Sequence, residues 1–385
     1  MLRTNSMLIF LISVLMVSSC IKPYDPDIQS LDAERFVVTG QVTDRDGLQK
    51  VNVSMTSPIG DPQYLPVTGC AVVITDINGM EFPMNEIGNG DYQCLIDPAF
   101  LVPGTSFMVK ITTPGGEVIN SDFDQLTQGP EVDSIYFVRK DIQGQSIGQI
   151  FKGIQFYIDL DASSGDSHYY RWEEIETWEY HADYPLIWYY DGSIHQVSPP
   201  DYSRKVCWST TKVPEIYTLS TDNLVENKYN MLPIHFVNNR SSRLMYGYSL
   251  LIKQYALSEA AYIYWDQLRI NSNLQGGLYA KQPIAIKGNL HNLTNPTQVV
   301  LGFFGASSLK TKRIFIRSVP DLLLNFSTLC YPDTLKRGFA DFGPGDYPVY
   351  LKGDQAAYKM IQLGEECVNC LKLGGTNVKP DFWPN

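Results

Sequence analysis

The chain has little positive charge, few histidines and no long apolar run beyond its N-terminal segment. Lys and Arg number 30 against 41 Asp and Glu, and the formal net charge is −11. No basic cluster interrupts that balance, which excludes the phosphate-neutralising surface that nucleic-acid binding requires. It equally excludes adhesion to an anionic bilayer by charge alone. Past the N-terminal segment no run of about 18 apolar residues occurs, so no membrane-spanning helix is predicted. His168, His181, His195, His235 and His291 are scattered, with neither an H-E-x-x-H motif nor a pair four residues apart, so no metal site is expected. There is no G-x-S-x-G elbow, no phosphate loop and no dinucleotide fingerprint. Asp341-Phe-Gly343 lacks the glycine-rich loop and H-R-D that would make it a kinase signature. No cofactor and no catalytic residue are expected, and the sequence does not read as an enzyme.

What is present begins at the N-terminus. A single cation, Arg3, precedes an apolar run from Met7 to Val17 broken only by Ser13. That length suits a signal peptide and is too short to span a bilayer. Small residues Ser18 and Ser19 then lead directly into Cys20. Leu15-Met-Val-Ser-Ser-Cys20 resembles a bacterial lipobox. The resemblance implies that residues 1–19 are removed and that Cys20 is acylated, because only a thiolate makes the thioether to diacylglycerol. At ~0.8 kcal/mol per buried CH₂, two or three acyl chains anchor a protein essentially permanently. Residues 20–34 carry Pro23, Pro26 and several acids and read as a tether without a core. Asp25 and Asp27, soon after the cysteine, resemble the pattern of Bacteroidota lipoproteins exported to the cell surface.

Residues 35–128 alternate apolar and polar side chains in short runs. Phe36, Val38 and Val42 face one way and Val37, Thr39 and Gln41 the other, the period of a half-buried strand. Further runs at Val51–Met55, Cys70–Thr75, Tyr92–Ile96 and Phe107–Ile111 are separated by turn sequences such as Asp76-Ile-Asn-Gly79 and Gly88-Asn-Gly-Asp91. Short strands at this spacing predict a β-sandwich. The order V-x-G-x-V-T-D, G-C-A-V-V-I-T-D, G-D-Y and P-G-G resembles the transthyretin-like, or carboxypeptidase-regulatory-like, module. Modules of this type usually serve as spacers or contact domains.

Gly129-Pro130 marks a boundary, and 131–385 reads as a larger antiparallel β-sandwich domain with one helix, 258–274. Ser258 is a natural N-cap, Glu259 suits the first turn, and Ala261, Tyr264, Trp265 and Leu268 recur at helical spacing. Strand-like runs follow at Pro283–Leu290, Val299–Phe304 and Arg313–Ile316. The end, with Phe382 and Trp383, is too apolar to be free and is expected to pack on this domain. The fold class predicted is therefore mainly β, an N-terminal transthyretin/Ig-like sandwich followed by a larger one.

Cys70, Cys94, Cys207, Cys330, Cys367 and Cys370 remain after Cys20, and an even number in an exported chain favours disulfides. Cys70 and Cys94 share the first sandwich and are candidates to pair with each other. Cys367-Val-Asn-Cys370 has redox and zinc readings, but no strand-to-helix context and no second ligand pair support them. Bonds to Cys207 and Cys330 are the expectation. Glu173, Glu174, Glu176 and Glu179 crowd one strand. They could supply a glycosidase pair, but a solvated strand face explains them better. The stretch most suggestive of binding is 178–190, where Trp178, Tyr180, Tyr184, Trp188, Tyr189 and Tyr190 accompany Pro185 and Asp191-Gly192. As a long hairpin these rings form a candidate binding surface for a protein, glycan or peptide. The competing reading is a strand pair that buries one aromatic face.

Several motifs together resemble one family. They are Cys20-x-x-Pro-Tyr-x-Pro26, Asp133-Ser-Ile-Tyr136, Ser258-Glu-Ala-Ala-Tyr262, Gly288-Asn-Leu290, Leu301-Gly-Phe-Phe-Gly-Ala-Ser307, Cys367-x-x-Cys370, Gly374-Gly-Thr376 and Pro380-Asp-Phe-Trp383. This set is similar to Bacteroidota outer-membrane lipoproteins of unassigned function, over nearly all of the chain after Cys20. The resemblance implies an outer-membrane anchor and a partnership with a TonB-dependent β-barrel receptor. It implies no particular ligand.

Overall fold

The computed structural model describes residues 34–385, except 46, 59–60, 145–147, 274–285, 329, 331–332, 336–337, 355–358 and 385. Cys20, the signal segment and most of the tether lie outside the described residues. The described chain is mainly β, with several antiparallel sheets and one α-helix, Glu259–Asn273.

One ten-stranded sheet runs through both halves of the molecule. Its order is Val206–Lys212, Tyr169–His181, Gly247–Ala256, Leu301–Ile316, Phe36–Thr43, Leu48–Met55, Asp91–Leu95, Asn85–Gly88, with two short strands attached alongside. The join is the 16-residue strand Leu301–Ile316. Its first part pairs in parallel with Phe36–Thr43, from Val37 opposite Leu301 to Thr43 opposite Ser307. Its second part pairs antiparallel with Gly247–Ala256, from Ala256 opposite Ser308 to Tyr248 opposite Ile316. The runs at Val299–Phe304 and Arg313–Ile316 are thus one strand. The first sandwich, expected over 35–128, is completed by later chain: Leu290–Asn292 pairs with Val118–Ser121 in its second sheet, and Leu290, Val300, Phe304 and Ala306 enter its core. Of the strand expected over Pro283–Leu290, residues 283–285 lie outside the described set, and the strand itself is Leu290–Asn292.

Glycine makes the parallel join possible. Gly302 sits at φ +101°, and a Cβ there would lie 1.9 Å from the Val38 carbonyl oxygen; only glycine relieves both constraints. A Cβ on Gly288 would meet the Gly302 carbonyl oxygen at 1.6 Å. Beside it, the Asn289 amide donates to the Phe304 carbonyl at 2.8 Å and accepts from the Phe304 N–H at 3.0 Å. The Gly288-Asn-Leu290 and Leu301-Gly-Phe-Phe304 motifs are therefore two sides of one contact.

The helix forms where capping and periodicity place it. Ser258 Oγ accepts from the Ala261 N–H at 3.1 Å and donates to Asp124 at 2.5 Å. Asp124 is buried and also accepts from the Ala306 N–H at 2.7 Å, so one carboxylate ties the helix N-terminus to the long strand. Burial pushes its pKa up, against those hydrogen bonds. The aromatic stripe packs inward as Tyr264 stacks on Phe303 at 5.0 Å. The Arg171 guanidinium lies between Tyr255 and Trp265, 4.2 Å from each ring centroid.

In the second half, a three-stranded sheet of Ser134–Gln143, Ile150–Asp161 and Lys228–Asn238 covers one face of the main sheet. Ile154, Phe156, Ile158, Tyr170, Trp172, Val237, Leu250 and Ile252 fill the space between. A five-stranded sheet lies beside it, in the order Ile194–Asp201, Leu186–Tyr190, Val349–Asp354, Lys359–Leu363, Asp333–Thr334.

The acidic strand corrects the sequence reading. Glu173 is paired near the surface with Lys212 at 2.5 Å and Lys253 at 3.6 Å, but Glu174 and Glu176 point into the core and are 0% and 5% exposed. Their side chains share the face of Tyr170 and Trp172, which packs in the core beneath the three-stranded layer. Neither carboxylate oxygen of Glu174 has a hydrogen-bond partner. Burial, with Glu173 and Glu215 adding repulsion, raises its pKa well above the usual carboxylate range. The sign of the consequence follows from linkage. Below the unfolded-state value near 4.5 both states hold the proton. Above it the unfolded chain loses the proton while the folded chain keeps it. Stability therefore falls as pH rises toward the folded-state value, by up to about 1.4 kcal/mol per pH unit from this group. Glu174→Gln is expected to flatten that slope between about pH 5 and 7, as read by urea unfolding at several pH values. An unchanged slope would mean that Glu174 is ionised in the fold.

Candidate functional site

The stretch 178–190 is not one hairpin. Trp178 and Tyr180 end the long strand Tyr169–His181, paired with Val206–Lys212 on one side and Gly247–Ala256 on the other. Trp188, Tyr189 and Tyr190 belong to the five-stranded sheet. Trp188 and Tyr190 form its small core with Phe342, Val349 and Leu351, Tyr190 lying 4.8 Å from Phe339 and 5.6 Å from Tyr347 between ring centroids. Tyr189 stacks on His195 at 4.8 Å, and Tyr184 lies under the Lys352 ammonium at 4.0 Å. Of the six candidate rings, those from Tyr184 onward hold the smaller sheet together. The alternation of the strand sends Trp188 and Tyr190 to the same inner face, which sequence alone left open.

Trp178 and Tyr180 do something else. Both line a cleft of about 260 Å³ with His181, Asp183, Met245, Tyr246, Phe326 and Leu373, and with Ser209, Ser242, Thr328, Cys330 and Glu366. His181 and Tyr246 stack face to face, with centroids 3.6 Å apart and planes 17° apart. His181 Nε2 is 2.7 Å from Glu179. Burial raises the Asp183 pKa, opposed by a hydrogen bond with Thr328 and the charge of Lys205. Burial first, then the charges of Asp183 and Glu179, raises that of Tyr246. On the far side of Tyr246 a second hollow of about 220 Å³ opens against Phe315 and Trp383.

Two disulfides fix the walls. Cys207 bonds to Cys370 and Cys330 to Cys367, so both cysteines of the C-x-x-C are joined to the expected partners and neither offers a thiolate to a metal. The first bond places Cys370 where its carbonyl accepts from Tyr180 Oη at 3.1 Å. The chain then leaves through Gly374, at φ +92°. A Cβ on Gly375 would strike the Tyr180 hydroxyl and the Trp208 carbonyl. Thr376 closes a two-bond bridge with Trp208, at 2.8 and 2.9 Å. The tail then packs on the second half: Trp383 meets Trp208 and Phe315 edge-on, and Arg313 lies over Phe382 at 3.6 Å.

The remaining pair does not form. Cys70 and Cys94 are free. Cys70 precedes the strand Ala71–Asp76 of one sheet, whereas Cys94 lies in Asp91–Leu95 of the other. Sharing a sandwich did not bring them to one another. Burial raises both thiol pKa values, that of Cys94 to about 11.

Sequence reasoning found Trp178 and Tyr180 but not Asp183, Met245, Tyr246, Phe326 or Leu373. Asp183 lies within the stretch 178–190 but is not a ring, and Met245, Tyr246, Phe326 and Leu373 come from segments far apart in sequence and carry no local signature. Among the described residues, no group of three or more His, Cys, Asp or Glu side chains is arranged to hold a metal ion. The arrangement can bind: it is concave and lined by rings and polar side chains, with cross-linked walls.

These features define a disulfide-bonded, mainly β protein with an aromatic cleft. Residues 21–313 match the model of the domain of unknown function DUF4249, and the chain belongs to that family. No curated protein matches the chain. Among solved structures it is similar, at 9% identity and a TM-score of 0.16, to one described as "Complete structure of manganese lipoxygenase of Gaeumannomyces graminis and partial structure of zonadhesin of Komagataella pastoris", over 57% of this chain and 88% of that chain. That likeness is too slight to carry any argument.

Proposed function

We propose that this protein is a lipid-anchored accessory protein of the bacterial outer membrane. In this reading it is held by Cys20, partners a TonB-dependent β-barrel receptor, and uses the aromatic cleft as its ligand contact. The observation that carries the binding role is the cleft itself, lined by aromatic residues between disulfide-linked walls. The anchoring is supported by the lipobox-like residues 15–20 and by a family match that begins one residue past Cys20. The continuous ten-stranded sheet adds a mechanical argument. It links the N-terminal sandwich, nearest the tether, rigidly to the ligand-binding end.

The test is a pull-down from gently solubilised outer membranes with a C-terminal affinity tag. A stoichiometric β-barrel among the captured proteins is expected. A protein that purifies alone from several mild detergents overturns the partnership. The cleft favours a second reading, stand-alone capture of a glycan or peptide at the cell surface. Trp178→Ala is the variant that addresses it, because Trp188 holds the core of the smaller sheet. Ligand affinity lost in Trp178→Ala, with no barrel captured, would establish that reading.

A further inference from the structure

We infer that the cleft selects an organic cation, a ligand that carries an ammonium or guanidinium group on a small apolar body. The inference rests on the reading of the cleft as a ligand site and assigns the chemical class that it takes. Four aromatic residues, Trp178, Tyr180, Tyr246 and Phe326, line the cleft together with the acidic residues Asp183 and Glu366. Among the described residues lining it there is no Lys or Arg. The cationic form of His181 is already matched by Glu179 at 2.7 Å. The nearest opposing charge acting on Asp183 is Lys205, whose ammonium sits over the Tyr202 ring at 5.7 Å, outside the lining. The cleft therefore combines aromatic and acidic residues, with no Lys or Arg among the described residues of its lining.

Aromatic faces carry negative electrostatic potential, and a cation placed over them gains most where water is partly excluded. A carboxylate half-removed from water gains in the same way from a positive partner. An anionic ligand would meet Asp183 and Glu366 with no Lys or Arg among the described lining residues to offset them. A neutral ligand would gain only from ring contact. The disulfides Cys330–Cys367 and Cys207–Cys370 keep the rings and acids in place, so little ordering cost offsets the electrostatic gain.

The experiment is calorimetric titration of the full disulfide-bonded chain with three probes of similar shape, together with a neutral disaccharide. The probes are benzyltrimethylammonium, its uncharged carbon isostere neopentylbenzene, and the anion 3-phenylpropionate. The cation is expected to bind at least tenfold more tightly than the isostere, and the anion not at all. Asp183→Asn and Trp178→Leu are each expected to weaken the cation at least tenfold. The comparison of probes on the unaltered chain keeps the test decisive if either variant folds poorly. Equal or tighter binding of the isostere or the anion overturns the inference. Binding of the disaccharide that depends on Trp178, without binding of the cation, overturns it while leaving the cleft as a ligand site. No saturable binding by any probe overturns both, and leaves the β-barrel partnership to be judged by the pull-down alone.

Discussion

Replacing Glu176 by alanine is expected to lower the unfolding free energy by about 3–5 kcal/mol, the range found when one partner of a buried ion pair is removed. Glu176 is a hub. Its two carboxylate oxygens each accept from Arg243 Nη1 at 3.0 Å, Oε2 also accepts from Tyr248 Oη at 2.9 Å, and His235 Nε2 lies 3.3 Å away. Burial alone would raise the Glu176 pKa, but the His235 hydrogen bond, the Arg243 charge and Tyr248 together hold it below the usual value. The four groups come from four places: the long central strand, the turn Ser242–Leu244, the three-stranded layer and the adjacent strand. Alanine leaves Arg243 and the Tyr248 hydroxyl without their acceptor, and desolvated donors are costly. The double variant Glu176→Leu/Arg243→Met is expected to recover most of the loss, because packed apolar groups of similar volume replace such pairs at little cost. Urea unfolding of the two variants checks both statements. Equal destabilisation in the single and double variants would show that the loss comes from packing and not from an orphaned charge. The same variant reaches the cleft. Arg243 anchors the turn that carries Ser242, Met245 and Tyr246 into the cleft wall, so Glu176→Ala is also expected to loosen cleft binding. The pH dependence is opposite to that of Glu174. A depressed folded-state pKa contributes stability above the unfolded-state value, near 4.5, and that contribution is lost as pH falls through the folded-state value.

How much of this was legible in the sequence depends on the range of the interaction. Period-two alternation found the strands around Phe36, Cys70, Phe107 and Ile154, and Ser258 with its aromatic stripe found the helix. Each is a local signal, set by backbone geometry within a few residues. The sheet that joins the halves was not legible. The parallel pairing of Val37–Thr43 with Leu301–Ser307 depends on Gly302 approaching Val38, and a glycine in a strand announces a close approach without naming its partner. The acidic strand failed for a related reason. Four glutamates in seven residues look solvated, yet Glu176 has partners at 235, 243 and 248 that make its burial tolerable, while burial raises the pKa of Glu174 and so favours its uncharged form. In the candidate site, aromatic density pointed to the right neighbourhood and to the wrong subset. Composition cannot say which rings a sheet will bury: Trp188 and Tyr190 enter the core of the smaller sheet, whereas Trp178 and Tyr180 line the cleft.

Removing the Cys207–Cys370 bond is the second large perturbation, and it separates covalent from packing contributions to the same site. In the chain-entropy account a cross-link stabilises by restricting the unfolded ensemble, and the effect grows with the logarithm of the closed loop. The residues joined are 163 apart for Cys207–Cys370 and 37 apart for Cys330–Cys367. Those lengths give upper values of about 5 and about 4 kcal/mol at 25 °C. The shorter loop lies inside the longer, so with Cys330–Cys367 intact the longer path shrinks only modestly, and the order of the two effects is preserved. Cys207→Ala/Cys370→Ala is therefore expected to be the more damaging double variant, by about 1 kcal/mol, in urea unfolding under oxidising conditions. The consequences for the cleft should differ in kind. Loss of Cys207–Cys370 frees the segment that supplies the acceptor of the Tyr180 hydroxyl and the bridge from Thr376 to Trp208, so ring geometry on the floor is lost. Loss of Cys330–Cys367 releases the margin near Glu366 and Thr328 and leaves the floor intact. Reductant acting on the unaltered chain should reproduce the sum, since Cys70 and Cys94 are already thiols. If both double variants unfold at the urea midpoint of the unaltered chain, the C-terminal segment is held by the packing of Trp383 and Phe382 and the bridge from Thr376 to Trp208, and the cross-links contribute nothing to the stability of the fold around the cleft.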